Sequence, residues 1–478
     1  MRYSLLKTFN EIYILNLHGS TLKKERTPQG SKDENVFDIQ PGVAIAILIK
    51  LRQSESRMVY YSDCWGLRKE KYDWLRKNSV GTTNWKKLTP SSPYYFFVPK
   101  EEKGFKKYQK FSKITDIFQV YSVGVVTARD NFVIDFSKQS LEARIRIFRD
   151  CQEGDDLIKE VYKLKDKPTF NWYISKACRK LQELENWEEY FTKILYRPFD
   201  ERWIYYHSSV IERTRENVMK HMLKPNLSLS LTKRHPADDL YNDVFVSNQL
   251  TEGHLLSGAL GITYALPLYL YSGNENKHQQ ISLLHHEQQT TGSKKPNIDQ
   301  KLMDVLRSTF GKIPTPEEIF YYIYAILYSK IYRQKYQEFL KIDFPRISFT
   351  KDYKLFQNFG ELGKRLVELH LIRSPELNIP IAKFCGKNGS RVEKRKYREV
   401  EKRVYINNSQ YFEGVTPEVW HYYIGGYQVL DKWLKDRRGR TLSSEEIKLY
   451  CKIVTTLSKT IELQKKIDEL YPDVEKKY

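Results

Sequence analysis

Between Tyr196 and His221 the chain interleaves guanidinium and aromatic groups more densely than elsewhere. Tyr196-Arg197-Pro198-Phe199-Asp200-Glu201-Arg202-Trp203-Ile204-Tyr205-Tyr206 is followed by Arg213, Arg215, Asn217, Lys220 and His221. An arginine fork matches the paired acceptors of a phosphate or of guanine, and tyrosine and tryptophan offer stacking faces, so the pattern suits a nucleic-acid surface. For Arg197, Asp200 and Trp203 a structural reading stands beside it, with arginine and aspartate paired inside and tryptophan in a core. Arg213, Arg215 and Lys220 have no local excess of acids and are expected to face a partner or water. Lys233-Arg234-His235 follows a strand-like Leu-Ser-Leu-Ser-Leu-Thr run, at a strand end from which a loop could reach a groove. Arg129 lies in Thr127-Ala128-Arg129-Asp130-Asn131, which reads as a hairpin turn and makes Arg129 its one functional candidate.

A second basic stretch holds Lys383, Lys387, Arg391, Lys394, Arg395, Lys396, Arg398, Lys402 and Arg403 against Glu393, Glu399 and Glu401. Gly386, Asn388, Gly389 and Ser390 make its first half loop-like. A basic loop of this kind follows a phosphate backbone and contributes salt-dependent affinity more than base choice; a solvated surface loop is the alternative. Lys432, Lys435, Arg437, Arg438 and Arg440 extend the basic character.

Several chemistries have no visible residues. No GxGxxG follows a strand and no GxxxxGK[ST] occurs. His285-His286-Glu287 lacks the second histidine of a zinc-binding HExxH. Pro472-Asp473 with Glu475-Lys476 resembles a nuclease PD…ExK only superficially, its acids being too close and placed in what reads as a fraying tail. No Pro-Pro dipeptide occurs anywhere. The five cysteines, Cys64, Cys151, Cys178, Cys385 and Cys451, form no CxxC pair, so neither a disulfide framework nor a zinc site is expected and a reducing cytoplasm fits. With 80 Lys plus Arg against 59 Asp plus Glu, the formal charge of +21 is spread through a chain with 40% hydrophobic residues, which excludes a mainly disordered chain and favours polyanionic partners. No uncharged apolar run approaches the ~18–20 residues of a membrane span.

The elements that must position these residues read as α/β. A length of 478 residues implies two or three domains. A helix over Arg2–Phe9 leads into Glu11–Leu17 and then Gly42–Lys50, two apolar runs of the kind buried on both faces of a sheet. Val59–Tyr61 is expected to pair with the second of them across the turn-like stretch 53–57. Tyr94–Val98, Tyr121–Val126 and Phe132–Phe136 read as strands, and Leu141–Arg149 and Trp187–Lys193 as helices. The stretch 279–297 reads as a surface linker. Thr315-Pro316-Glu317-Glu318 starts a helix expected to reach about Leu340. Thr416-Pro417-Glu418 starts another that breaks near Gly425-Gly426 and resumes to Leu434, and Leu442-Ser443-Ser444-Glu445 caps a last helix to about Leu470.

Leu5–Gly19, Asp33–Lys50, Gly124–Phe136, Tyr196–Tyr206, Leu266–Tyr271 and Glu418–Arg437, in that order, resemble the C-terminal half of type ISP and related type IIG restriction–modification proteins. The resemblance covers essentially the whole chain. It implies a three-part fold: residues 1–75 as the last strands of a Rossmann-like methyltransferase sheet, 76–300 as a mixed α/β target-recognition domain, and 301–478 as a mainly helical specificity subdomain. It implies sequence-specific binding of duplex DNA, serving an adenine-specific N6-methyltransferase whose cofactor is S-adenosylmethionine. In that family a Gly-rich cofactor turn and an Asn-Pro-Pro-Tyr catalytic loop precede the segment at which this chain starts, so no cofactor-binding, catalytic or metal residue is expected here and the chain alone is expected not to methylate. An apolar strand such as Ile12–Leu17 without its neighbour would leave an open edge, so either a separate polypeptide carries the missing half or the chain is a fragment. The residues expected on DNA are Arg129, Arg197, Arg202, Arg213, Arg215, Lys220, Lys233 and Arg234, with Lys394, Arg395, Lys396, Arg437 and Arg438 on its backbone. An active methyltransferase completed in trans, a nuclease and a non-enzymatic RNA-binding or interaction protein remain as alternatives.

Overall fold

The computed structural model describes residues 1–21, 25–51, 56–92, 94–99, 104–150, 155–235, 240–256, 261–272, 294–387 and 389–478. Most of the expected linker 279–297, His285-His286-Glu287 and Cys151 lie outside them. The chain forms two compact units, one of residues 1–106 and one of residues 107–235 with 240–478.

In the first unit a short helix, α1 (Arg2–Thr8), precedes β1 (Glu11–His18), β2 (Val43–Ile49) and β3 (Met58–Asp63), followed by α2 (Arg68–Lys77) and β4 (Lys86–Leu88). The strand order is β2-β1-β3-β4. The expected pairing of the third strand with the second is corrected: β3 runs parallel beside β1, Ile12 against Val59, while β2 pairs antiparallel on the other side. The sheet order therefore puts β2 at an edge, and it is not buried on both faces as its composition suggests; Ile45 and Leu48 are exposed. Ile12, Val59 and Phe97 form one small core and Leu15, Leu17, Val36 and Cys64 another. A buried ion pair ties down the loops beyond β1 and β3. The Asp33 carboxylate accepts from the Gly19 and Gly66 amides at 2.7 and 2.9 Å and pairs with Lys71 Nζ at 2.8 Å, and Nζ also donates to the Leu17 and Glu34 carbonyls. Every charged atom is thereby matched, which is what permits the burial.

The second unit is built on three four-stranded sheets. The first comprises β5 (Ser122–Val123), β9 (Ser228–Thr232), β10 (Val244–Ser247) and β12 (Thr263–Pro267) in the order β10-β9-β12-β5. The second contains β6 (Ile134–Asp135), β7 (Phe191–Arg197), β8 (Asp200–Tyr205) and β11 (Leu250–Thr251) in the order β11-β7-β8-β6. Helices α3 (Lys138–Asp150) and α4 (Ile174–Gln182) cover it through Leu141, Ile145, Phe148, Ile174 and Leu181. A short helix α5 (Glu216–Met219) precedes β9.

The helical part begins with α6 (Pro316–Tyr328), whose start is the expected capping box: Thr315 Oγ1 accepts from Glu318 N, and Glu318 returns the bond to Thr315 N. It stops well short of Leu340, because Ser329 leaves the helical conformation and caps a separate turn. Helix α7 (Tyr353–His370) crosses α6 so closely that a Cβ on Gly363 would stand 1.9 Å from the Tyr321 carbonyl oxygen. The third sheet, β13 (Lys383–Cys385), β14 (Lys396–Arg398), β15 (Arg403–Tyr405) and β16 (Tyr411–Glu413), replaces much of the expected basic loop. Helix α8 (Pro417–Trp420), a Gly425-Gly426 hairpin and α9 (Val429–Lys435) follow the expected break. The final helix, α10 (Ser444–Lys476), is capped by Ser443 with Glu446 and holds Pro472 and Asp473 within it. Residues 472–475 are therefore no fraying tail: Glu475 is buried and bound by Lys335, Tyr336 and Tyr471.

Other local expectations differ. Thr127–Asn131 is not a hairpin tip; Ala128 takes positive φ and Asp130–Val133 make a helical turn before β6. Tyr94–Val98 is no strand, and Trp187–Tyr190 is a 3₁₀ turn leading into β7.

Candidate nucleic-acid interface

The thirteen candidate cations separate by what their side chains meet. Four turn inward. Arg129 lies 3.5 Å above the Trp172 ring and donates to the Thr127 and Val210 carbonyls; burial pushes its pKa down to about 10. Arg197 pairs with buried Glu252 at 2.6 Å, and not with Asp200. Asp200 is itself buried and takes both Arg202, at 2.7 Å, and Arg437, at 2.8 Å. Arg202 continues to Asp436 at 3.1 Å and Arg437 to Glu446 at 3.0 Å, so charges from β8, the end of α9 and the start of α10 form one network. The network is roofed by aromatic rings: Arg202 and Arg437 both approach Phe136, and Arg437 lies over Trp433. Trp203 is partly buried against the core of the second sheet. These ion pairs and ring contacts turn the four side chains into the fold, although Arg129 Nη2 and Arg197 Nε, shielded from solvent, have no hydrogen-bond partner.

Two more are held at the surface of the third sheet, Arg395 by Asp431 at 2.8 Å and Lys394 by the Asn408 side chain at 2.6 Å. The remaining seven, Arg213, Arg215, Lys220, Lys233, Arg234, Lys396 and Arg438, make no ion pair or side-chain hydrogen bond among the described residues, and all but the half-buried Arg215 are exposed.

Five of the seven belong to the segments flanking the first sheet. Arg213 exchanges backbone bonds with Val126 at 2.9 and 3.1 Å, and the Tyr206 hydroxyl holds the Thr214 carbonyl at 2.7 Å. Arg215 adopts a left-handed conformation, φ 59°, while its carbonyl accepts from Val218 and Met219. With Ser122 at the β5 edge these residues enclose an open cleft of about 380 Å³. Burial, reinforced by the like charge of Arg213, lowers the Arg215 pKa.

Aromatic rings link the cleft side of the sheet to Lys233 at the end of β9. Tyr264 of β12, registered against Val123, packs edge-on against Phe344 at 4.9 Å, and Lys233 Nζ stands 5.9 Å from the same ring. Exposed Tyr121 closes the group, 5.9 Å from Phe344. Cationic groups interleaved with rings on one sheet edge can hold phosphates and stack bases. Tyr121, Ser122, Tyr264 and Phe344 are absent from the sequence-derived candidates; only the strand-like reading of Tyr121–Val126 pointed near them. His221, expected to accompany Lys220, is buried, accepts from the Tyr271 amide, and is pushed down to about 4 by burial and by Lys220 and Lys224. His235 is likewise buried against Asp243.

No group of histidines, cysteines and carboxylates suited to a metal occurs among the described residues. No described helix is long and apolar enough to cross a membrane.

A family profile described as the Type ISP C-terminal specificity domain matches residues 116–466, and the chain belongs to that family. Among solved structures it is similar to the ATP-dependent Type ISP restriction–modification enzyme LlaBIII bound to DNA, at TM-score 0.72 and 22% identity, covering 98% of this chain and 31% of that one. It is similar also to a nuclease-deletion mutant of the Type ISP enzyme LlaGI in complex with a DNA substrate mimic, at 0.67 and 21%, over 97% of this chain and 37% of that one. The DrdV–DNA complex matches at 0.70 and 21%, over 97% of this chain and 48% of that one. The chain thus spans less than half the length of each. No curated protein matches it in sequence.

Proposed function

We propose that this chain is the specificity part of a restriction–modification system and binds duplex DNA sequence-specifically through the edge of its first sheet. The observation that carries this is that Arg213, Arg215, Lys233 and Arg234, which make no ion pair among the described residues, flank the part of the sheet that holds Tyr121 and Tyr264, with exposed Lys220 toward the other end of the sheet beside His221. DNA accompanies all three structural relatives, which supports the same partner here. The system served is an adenine N6-methyltransferase using S-adenosylmethionine. This chain holds the duplex, while methyl transfer and cofactor binding belong to a methyltransferase region that carries the Asn-Pro-Pro-Tyr loop.

Binding of the purified chain to a mixed-sequence duplex, with structured RNA as competitor, tests the reading. Duplex is expected to win, with an affinity falling linearly in log salt. The triple variant Lys220→Ala, Lys233→Ala, Arg234→Ala is expected to flatten that slope by about 2–3. An unchanged slope, or preference for RNA, would sink the assignment.

A further inference from the structure

Resting on the duplex-binding reading, we infer that Arg215 is a base-reading residue that forks onto a guanine edge, while neighbouring Arg213 contacts phosphate.

The two arginines are two positions apart and differ in every relevant respect. Arg213 is exposed, as suits a group that follows a backbone. Arg215 is half-buried, and its Nε is shielded from solvent with no hydrogen-bond partner. Its backbone is held in the left-handed region, which a non-glycine residue adopts only when its surroundings enforce it. Here the enforcement is visible: the Arg213–Val126 bridge and the Tyr206–Thr214 bond fix the chain before it, and Val218 and Met219 bind its carbonyl after it. The guanidinium is thus carried by a rigid stem at a cleft, and ordering it on binding costs little conformational entropy.

The electrostatics call for acceptors. Glu212 and Glu216 line the cleft, Glu212 engaged by Lys167 at 3.0 Å, and the charge that acts most on Arg215 is the like charge of Arg213. A ligand offering two adjacent acceptors would satisfy the fork. Guanine, with O6 and N7 in the major groove, is the base whose edge does so, whereas adenine pairs one acceptor with a donor. A phosphate also offers paired oxygens but carries no sequence, and this difference makes the assignment testable.

Selection of bound duplexes from a pool with a randomised core, followed by sequencing, is run on the full chain and on three variants. The unaltered chain is expected to enrich a motif containing a G·C pair. Arg215→Gly removes the guanidinium while relieving the positive φ, so it should fold with an equal or higher Tm. It should nonetheless lose preference at one G·C position by roughly tenfold or more. Arg215→Lys should weaken the same preference without abolishing it, because an ammonium can reach O6 and N7 but lacks the planar fork. Arg213→Ala should keep the motif, weaken all sequences alike and reduce the salt slope by about 1. Retention of the full motif by a folded Arg215→Gly overturns the inference and leaves duplex recognition standing. So does a uniform loss across sequences, which would make Arg215 a phosphate contact. Failure of the unaltered chain to enrich any motif overturns the duplex-recognition reading and the inference with it.

Discussion

Asp200 is buried between two arginines, and its role follows from them. Burial opposes its ionisation, yet Arg437 and Arg202 more than offset this and hold its pKa below the ordinary carboxylate value. A carboxylate whose pKa is depressed by folding contributes stability above its unfolded pKa of roughly 3.9, and that contribution is lost as pH falls through the lower folded value. Asp200→Ala would take from Arg202 and Arg437 the buried carboxylate they share, leaving each with one partner, and should cost about 3 kcal/mol, read as a fall in the urea midpoint with the slope unchanged. His18 works with the opposite sign. It is stacked on Trp65 and bonded to Asp63 at 2.7 Å. Burial lowers its pKa, but the Asp63 and Glu25 carboxylates outweigh burial and raise it. Its contribution is complete below about pH 6.5 and disappears as pH rises through the raised value. In His18→Gln the stability of the first unit should lose that dependence, followed through Trp65 fluorescence in urea at several pH values.

Helix starts were legible because capping is local chemistry: Thr315 with Glu318 closes its own ring as expected, and the stretch 442–445 marks the last helix, although the partner of Ser443 is Glu446, one residue beyond it. Ser443→Ala should cost about 1 kcal/mol, whereas Ser443→Asp should be nearly neutral in thermal melts. Gly363→Ala should cost more, since its methyl would meet the Tyr321 carbonyl and force α7 away from α6; about 2–3 kcal/mol is expected from a denaturation curve. Strands were legible as apolar runs but not as neighbours. Gly42–Lys50 reads as a strand covered on both faces, and it became an exposed edge because sheet order depends on partners far away in the chain. Ile45→Lys with Leu48→Lys should reduce light scattering at high protein concentration without lowering the unfolding midpoint. The basic stretch 383–403 misled in the other direction. Its glycines mark turns, but Phe384, Val404 and Phe412 pair across strands and bury a hydrophobic core.

At the scale of the whole chain, the charge of +21 is not a uniform coat. In the second unit part of it is cancelled internally by Glu252, Asp200, Asp436 and Glu446, and the remainder includes the sheet edge proposed to hold DNA. The two units also differ in how much they bury. The first rests on small clusters around Ile12 and Leu15, whereas the second has extended cores around Phe132 and Trp433. Stability grows with buried apolar area, so amide exchange should release β1–β3 before α6 and α10; simultaneous release would show that the first unit draws its stability from elsewhere.

The α/β class, the family, the helix caps and the general pull toward polyanions rest on residue types or on spacings of a few residues, and are readable before the chain folds. Which arginines remain available is not. Arg197, Arg202 and Arg437 look as inviting in sequence as Arg213 and Arg215. The carboxylates that occupy them come mostly from distant segments, such as Glu252 for Arg197, Asp436 for Arg202 and Asp200 for Arg437. An ion pair at 3 Å is indifferent to sequence separation, so a cation's freedom to meet DNA is settled only when the chain has folded.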